Sequence, residues 1–393
     1  MRVLHVYSGN LFGGIEAILI ALARGRSLCP GVQHEFALCF QGKLARELTR
    51  IGARVHHLGP LRISRPATVR SARAALAALL QPAQATQSKH RTQSTTSTRS
   101  TAFDRVVCHA PWAQGIFGGV ARRAGVPLVF WAHDVMKGRH WTERLARRVA
   151  PDLAICNSRF TASTLGSLYA GLPSAVVYAP VEMRCLPMDA EERRLTRVLL
   201  DTPDRAIAIV LACRSERWKG HTVLLEALSD LRDVPGWVWW QVGGAQRPAE
   251  AAFLGELNQM AHRFGIADRV RWIGERDDVP RLLAAADLYC QPNLEPEPFG
   301  VALVEALAAG LPVVTVGRGG ACEIVDDSCG VLVPPRDPRA LAGELKQLIE
   351  DEGRRKRLAA AAPARAERLC DPATALRRLA DQLAAMTPAA LRA

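Results

Sequence analysis

At 393 residues, 49% hydrophobic and 23% charged, the chain is too long for one ordinary core and too apolar to be disordered, so two globular domains are expected. The formal net charge is +13, and its excess lies in one half: residues 1–180 carry 23 Lys and Arg against 7 Asp and Glu, a net of +16. No apolar run approaches the ~20 residues that span a bilayer, and the ten Cys form no C-x-x-C pair, so neither a membrane-spanning helix nor a zinc site is expected, and buried free thiols in a reducing cytoplasm are.

The chain opens on Arg2–Ser8, an apolar run too short for a signal peptide, which reads as a buried strand followed by a helix over Ile15–Ala23. Further strands are expected at His34–Phe40, Arg54–Leu58, Arg105–His109, Leu128–His133 and Leu153–Asn157, with helical stretches such as Trp112–Ala124 between them. Residues 81–101 are rich in Ser, Thr and Gln and lack an apolar face, and they read as a disordered insertion on a surface loop. The second half repeats the alternation. Strands are expected at Ala206–Cys213, Trp237–Val242, Val270–Ile273, Asp287–Gln291, Pro312–Val316 and Gly330–Val333, and helices at Thr222–Leu231, Ala251–Phe264 and Gly300–Ala309 among others. Short apolar strands alternating with helices imply parallel sheets covered on both faces. The expected fold class is α/β, with two doubly wound Rossmann-like domains facing across a cleft, residues 1–182 and 183–373, joined by a hinge near Pro180–Pro187.

Such sheets bind ligands beyond the carboxyl ends of their strands, and the candidate residues fall there. Gly13-Gly14-Ile15-Glu16 follows the first strand and opens a helix, where glycine lets backbone approach a ligand and the helix start favours negative charge. The glycines at 9, 13 and 14 do not make G-x-G-x-x-G, which argues against a nicotinamide enzyme. Arg214 and Lys219 flank the loop after strand 206–213, where two cations can clamp a diphosphate. The richest segment runs from Glu297 to Glu305. Its helix starts near Gly300 and stops at Gly310-Leu311-Pro312, so Glu297 lies in the loop ahead and Glu305 on the second turn. The N–H groups of residues 300–302 then point between two carboxylates: amides for phosphate, carboxylates for sugar hydroxyls.

Glu297-Pro298-Phe299-Gly300-Val301-Ala302-Leu303-Val304-Glu305 resembles the E-x7-E signature of the family 4 (group 1) retaining glycosyltransferases, which have the GT-B fold. Three more segments resemble that family in its order: Arg214-Ser215-Glu216-Arg217-Trp218-Lys219-Gly220, then Gly317-Arg318-Gly319-Gly320-Ala321-Cys322-Glu323-Ile324-Val325, then Gly330-Val331-Leu332-Val333-Pro334-Pro335. The resemblance is dense over roughly residues 206–345 and looser before. It implies transfer of a hexose from a UDP- or GDP-sugar to an acceptor hydroxyl. No metal cluster is visible in the sequence, and Arg and Lys can neutralise the diphosphate without one, so no cofactor and no metal are expected. The resemblance implies Gly14 beside the donor diphosphate and His133 facing the donor sugar. Glu305 would hold the ribose and Glu297 the transferred sugar, with Phe299, Gly300 and Val301 setting backbone against sugar and phosphate. The backbone at Ile273 would lie by the base. The resemblance favours Lys219 over Arg217 as the second cation, and it sends the last helix, within residues 374–393, back onto the first domain.

The basic stretches His140–Arg148, which carries Trp141, and Arg62, Arg65, Arg70 and Arg73 suit anionic lipid headgroups or an acidic acceptor. An anionic or lipid-linked acceptor is therefore expected, in polysaccharide or glycolipid biosynthesis, on the cytoplasmic face of a membrane. Three other classes compete. A UDP-sugar epimerase shares the architecture but needs added acid and base carboxylates. A nucleic-acid binder would explain the basic half but lacks any recognisable binding motif, so no nucleic-acid partner is expected. A glycoside hydrolase would leave Arg214 and Lys219 without a role.

Overall fold

The computed structural model describes residues 1–82, 102–181 and 188–386. They form two compact units, one running to Pro180 and resuming with the helix that begins at Pro372, the other running from Val181 to Asp371. Apart from Gln81, Pro82, Pro180 and Val181, the expected insertion and the expected hinge lie outside the described residues.

The first unit holds β1 (Arg2–Tyr7), β2 (Gln33–Leu38), β3 (Arg54–His57), β4 (Arg105–His109), β5 (Leu128–Ala132), β6 (Leu153–Cys156) and β7 (Ser174–Val176). They pair in the order β3-β2-β1-β4-β5-β6-β7, every pair parallel. Every residue of β5 is buried, as a strand covered on both faces requires. Strand β7 adds an edge that the sequence pattern does not show, because three residues are too few to display a period.

The second unit holds β8 (Ile207–Ala212), β9 (Trp237–Val242), β10 (Val270–Gly274), β11 (Leu288–Gln291), β12 (Val313–Val316) and β13 (Gly330–Val333), in the parallel order β10-β9-β8-β11-β12-β13. Its core joins Ile209 and Leu211 of β8 to Leu224, Leu225 and Leu228 on the following helix, and to Phe253 and Leu257 on the next. Each sheet reverses its winding once, between β1 and β4 in the first unit and between β8 and β11 in the second. A crevice opens at such a point outside the carboxyl ends of the two strands.

The last helix, Pro372–Ala384, belongs to the first unit and buries Leu376, Leu379 and Leu383. Gly25 lies directly under Leu376, and a β-carbon there would overlap the Leu376 side chain. Arg105 closes the far end, its Nε donating to the Leu383 carbonyl at 3.0 Å and its Nη2 to the Met386 carbonyl at 3.0 Å. A cation on terminal carbonyls is favoured by the helix dipole. No helix among the described residues is long and apolar enough to cross a membrane.

Leu383 is fully buried where the helix meets the sheet. Leu383→Ala should lower stability by about 2–5 kcal/mol, seen as an earlier urea midpoint; an unchanged midpoint would mean that this helix does not stabilise the first unit.

Candidate functional site

In the second unit the loop after β8 carries Arg214, then a single 3-10 turn over Arg217–Lys219, then Gly220, which starts the helix His221–Ser229. Gly220 has φ of +80°, and a β-carbon on it would run into the Pro292 carbonyl. Only glycine therefore lets this loop lie against the loop after β11. The contact is sealed by the Leu294 amide, which donates to the Trp218 carbonyl at 2.8 Å.

That approach brings Lys219 Nζ to Glu297 Oε2 at 2.9 Å. Two side-chain amides from the β11 loop donate to the same oxygen, Gln291 Nε2 at 3.0 Å and Asn293 Nδ2 at 2.6 Å. The Tyr289 hydroxyl in turn donates to Gln291 Oε1 at 2.7 Å. Burial, together with the negative charge of Glu305 and Glu297 nearby, keeps that phenol well above its usual range and so protonated. Glu297 is 8% exposed, so its charge is tolerated only because these donors surround it.

The other side of the Glu297 loop is walled by Gly319 and Gly320. Gly320 N–H donates to the Glu297 carbonyl at 2.7 Å. A β-carbon on Gly319 would stand 2.5 Å from that carbonyl, and one on Gly320 2.6 Å from the Pro298 carbonyl. Gly300 turns the chain at φ of +113° into the helix Val301–Ala308, with Phe299 buried and Val301 and Glu305 half-buried. Ile273 is half-buried near the end of β10, beside Gly274, whose carbonyl accepts from Gly243 N–H at 2.7 Å.

Arg214 is tied elsewhere. Its Nη2 donates to Glu216 at 2.7 Å and its Nη1 to Glu250 at 3.0 Å, while the Gln246 amide donates to the second Glu250 oxygen at 2.7 Å. Arg217 pairs with the exposed Glu256 and covers the Phe253 ring at 4.4 Å. The structure thus joins Lys219, Glu297 and the Gly300 turn, and holds Arg214 through a separate carboxylate pair. The sequence reading missed Gln291, Asn293 and Glu250. Gln291-Pro292-Asn293 was detectable as two amides closing an apolar strand; Glu250 is an ordinary helix glutamate until the fold sets it on Arg214.

In the first unit Gly13 caps the helix Gly14–Arg24, its N–H donating to Glu16 Oε2 at 2.9 Å. His133 follows β5 and is buried. It does not stand alone. His133 Nε2 lies 2.9 Å from His109 Nδ1, His109 Nε2 lies 2.9 Å from His5 Nδ1, and His5 Nε2 lies 2.8 Å from His34 Nδ1. Trp131 stacks on both His109 and His133. Burial lowers the His133 pKa to about 3 and that of His34 to about 4. Burial first, and then the neighbouring histidines, hold His5 and His109 well below the usual range. All four rings are therefore neutral near neutral pH. Sequence reasoning singled out His133 alone; the other three were visible as histidines inside or beside apolar strands. Among the described residues no group of three or more His, Cys, Asp or Glu is placed to hold a metal ion.

Of the basic stretches, Arg62, Arg65, Arg70, Arg144 and Arg148 are exposed, as is Trp141. Arg73 and Arg147 also bond to the fold, Arg73 Nε donating to the Ile116 carbonyl at 2.8 Å and Arg147 Nη2 to the Ser167 carbonyl at 2.9 Å.

The family described as glycosyl transferases group 1 matches residues 194–365. The D-inositol 3-phosphate glycosyltransferase of Jonesia denitrificans is 31% identical over 298 residues, 68% of this chain and 69% of its own. The phosphatidyl-myo-inositol mannosyltransferase of Mycobacterium leprae is 30% identical over 275 residues, 66% of this chain and 67% of its own. The match to the D-inositol 3-phosphate glycosyltransferase of Salinispora tropica spans 57% of that protein, and the next two such relatives are spanned over 66% and 61%. Among solved structures, Anabaena HepE in complex with UDP-glucose superposes with a TM-score of 0.81 at 25% identity, over 98% of this chain and 99% of that one.

Two predictions follow from the geometry. Removing Glu297 strands a lysine and two amides, whereas removing Lys219 leaves the carboxylate its two amide donors. Glu297→Ala should therefore cost more stability than Lys219→Met, by at least about 1 kcal/mol in urea unfolding; the reverse order would show that the carboxylate is not the centre of the cluster. The second concerns acid. An unfolded histidine takes up its proton near pH 6.5, while these four stay neutral to lower pH, so their contribution is complete above about 6.5 and is lost as pH falls. Unfolding free energy should drop below pH 6.5 by up to ~1.4 kcal/mol per pH unit for each histidine, and a flat profile between about pH 7 and 5 would contradict this.

Proposed function

The chain belongs to the family of group 1 glycosyl transferases and has the GT-B fold, and on that premise we propose that it transfers a hexose from a nucleotide-diphosphate sugar to an acceptor hydroxyl with retention of configuration. The observation that carries this reading is the Lys219–Glu297 pair beside the Gly300 helix start, at the winding reversal between β8 and β11. A cation, a carboxylate and the N–H groups of a helix start stand together there, which is the donor set a sugar joined to a diphosphate requires.

The existing contacts leave room for these roles. Lys219 has three N–H donors and gives one to Glu297, so it can donate to a diphosphate without leaving the pair. Arg214, held by Glu216 and Glu250, is fixed in orientation and acts as the second cation. The three donors on Glu297 all meet Oε2, and Oε1 serves the hydroxyls of the transferred sugar. Glu305 takes the ribose, the Ile273 backbone lies by the base, and Phe299, Gly300 and Val301 set backbone against sugar and phosphate. In the first unit Gly14 lies by the diphosphate and His133 by the donor sugar. The chemistry is front-face displacement: the acceptor oxygen bonds to the anomeric carbon, the bond to the diphosphate breaks, and the departing oxygen takes the hydroxyl proton. Catalysis is then positioning and charge stabilisation by Lys219 and Arg214.

HepE with bound UDP-glucose supports a uridine donor ahead of a guanosine one. The inositol 3-phosphate and phosphatidyl-inositol in the relatives' names support an anionic acceptor, soluble or lipid-linked, as do the exposed arginines and Trp141 of the first unit. On this reading the enzyme works in the cytoplasm, against an anionic membrane surface when the acceptor is a lipid.

The test is a panel of UDP-, GDP- and ADP-sugars, each with a phosphorylated and a neutral acceptor, counting released nucleotide. Turnover of a UDP-sugar with the phosphorylated acceptor is expected, and Glu305→Ala should cut kcat/KM about 100-fold through loss of charged hydrogen bonds to the ribose. Interconversion of UDP-sugars with no acceptor would instead mark an epimerase.

A further inference from the structure

The four histidines of the first unit lie on four neighbouring strands in sheet order, His34 on β2, His5 on β1, His109 on β4 and His133 just past β5. The register makes the line a diagonal. His5 pairs with Phe36, two residues beyond His34, and with Val107, two residues before His109. His109 pairs with Trp131, two residues before His133. Side chains two apart on a strand share a face, so all four rings lie on one face of the sheet, each step moving one strand across and two residues towards the carboxyl ends. The ring centroids are 5.0, 5.2 and 5.1 Å apart, close to the ~4.8 Å spacing of strands.

The two ends differ. His133 Nδ1 is a buried nitrogen with no hydrogen-bond partner, which is unfavourable in an interior. His34 lines an open pocket of about 490 Å³ with Arg26, Gln33, Gly52 and Arg54. Ala110, directly after His109, is held at φ of +65°, a left-handed conformation that is strained for a non-glycine residue.

We propose that His133, His109, His5 and His34 form a proton relay between His133 Nδ1 and the pocket at His34. Every link joins Nε2 of one ring to Nδ1 of the next, so the neutral chain has two polarities. In one, each Nε2 carries the proton and His133 Nδ1 is a bare acceptor. A proton arriving at that Nδ1 drives the Nε2 proton of His133 to His109 Nδ1, that of His109 to His5 Nδ1, and that of His5 to His34 Nδ1, while the Nε2 proton of His34 leaves to water in the pocket. The chain then stands in the opposite polarity, with His133 Nδ1 a donor; a proton taken up at His34 Nε2 and released at His133 Nδ1 restores it, so the row shuttles a proton to and fro between its ends. One proton enters and one leaves, so no imidazolium need persist in the interior, where the low pKa values of all four rings forbid it. Charged groups stand at both ends of the line, Arg26 and Arg54 at the pocket and Asp134 next to His133 in sequence. Tyr7 packs edge-on against His109, and burial, with the charge of Glu16, keeps it protonated. The relay stands on the first unit alone and draws on no step of the transfer reading above.

The test needs no substrate. In full-length protein labelled with 15N-histidine, ring-nitrogen NMR reads the tautomer of each histidine and the coupling across each N–H···N bond. If the chain switches as one body, the four rings share a single tautomer ratio in the wild-type protein. His34→Leu removes the outlet, so the exchange at His133, three rings away, is lost and that ring settles into one tautomer. Fixed, unequal tautomers in the wild-type protein, or the same His133 ratio in His34→Leu, would overturn the relay; the wild-type spectrum is decisive even if the variant folds poorly.

Discussion

Gly220 against the Pro292 carbonyl is the contact on which the second unit's site depends. The loops after β8 and β11 leave adjacent strands at the point where the winding reverses, and they would diverge if either carried bulk there. With glycine at 220 they touch, Leu294 bonds to Trp218, and Lys219 is delivered to Glu297 across 78 residues of sequence. Gly319 and Gly320 do the same from the other side, and bring a third loop against the Glu297 backbone. Three absent side chains thus make space for one carboxylate. A buried carboxylate costs several kcal/mol to desolvate, and hydrogen bonds to charged groups return about 1.5–3 kcal/mol each. Lysine alone would fall short; lysine with two amides closes the gap.

The first unit solves a different problem at its own winding reversal. Its polar residues run through the sheet face, where among the described residues no carboxylate pairs with the inner rings, and it keeps them neutral. Imidazole suits this because one neutral ring both donates and accepts, so a row of them satisfies itself internally and leaves need only at its ends. A row of lysines or carboxylates in the same places would have to carry charge. The two units share a topology and hold opposite electrostatic designs.

Both parallel sheets were legible in the sequence because their strands are short apolar runs, and the helix start at Gly300 because Gly310-Leu311-Pro312 fixes its far end. What was not legible follows from the same logic. β7 is too short to show a period. The helix Glu352–Cys370 runs through Pro363, a residue that read locally would end it. Glu297 and Lys219 carried a motif, but Gln291 and Asn293 reveal themselves only when strand register sets their amides on one oxygen. The histidine line is further from view. Positions 5, 34, 109 and 133 share no sequence interval; they become a row only through the strand order β2-β1-β4-β5.

That row also bears on how His133 would act. A histidine whose free nitrogen faces a ligand can serve as acceptor or donor, and which one depends on where its single proton sits. In an isolated histidine the surrounding water decides. Here the other nitrogen is bonded to His109, His109 to His5 and His5 to His34, so the choice at Nδ1 is made jointly by four rings. Trp131 stacks on His109 and His133, and their rings lie close to parallel. A change at the rim of the sheet, at His34 and its pocket, thereby reaches the carboxyl end of β5 without any backbone movement. Proton position, not conformation, is then the quantity that couples the two ends of the sheet.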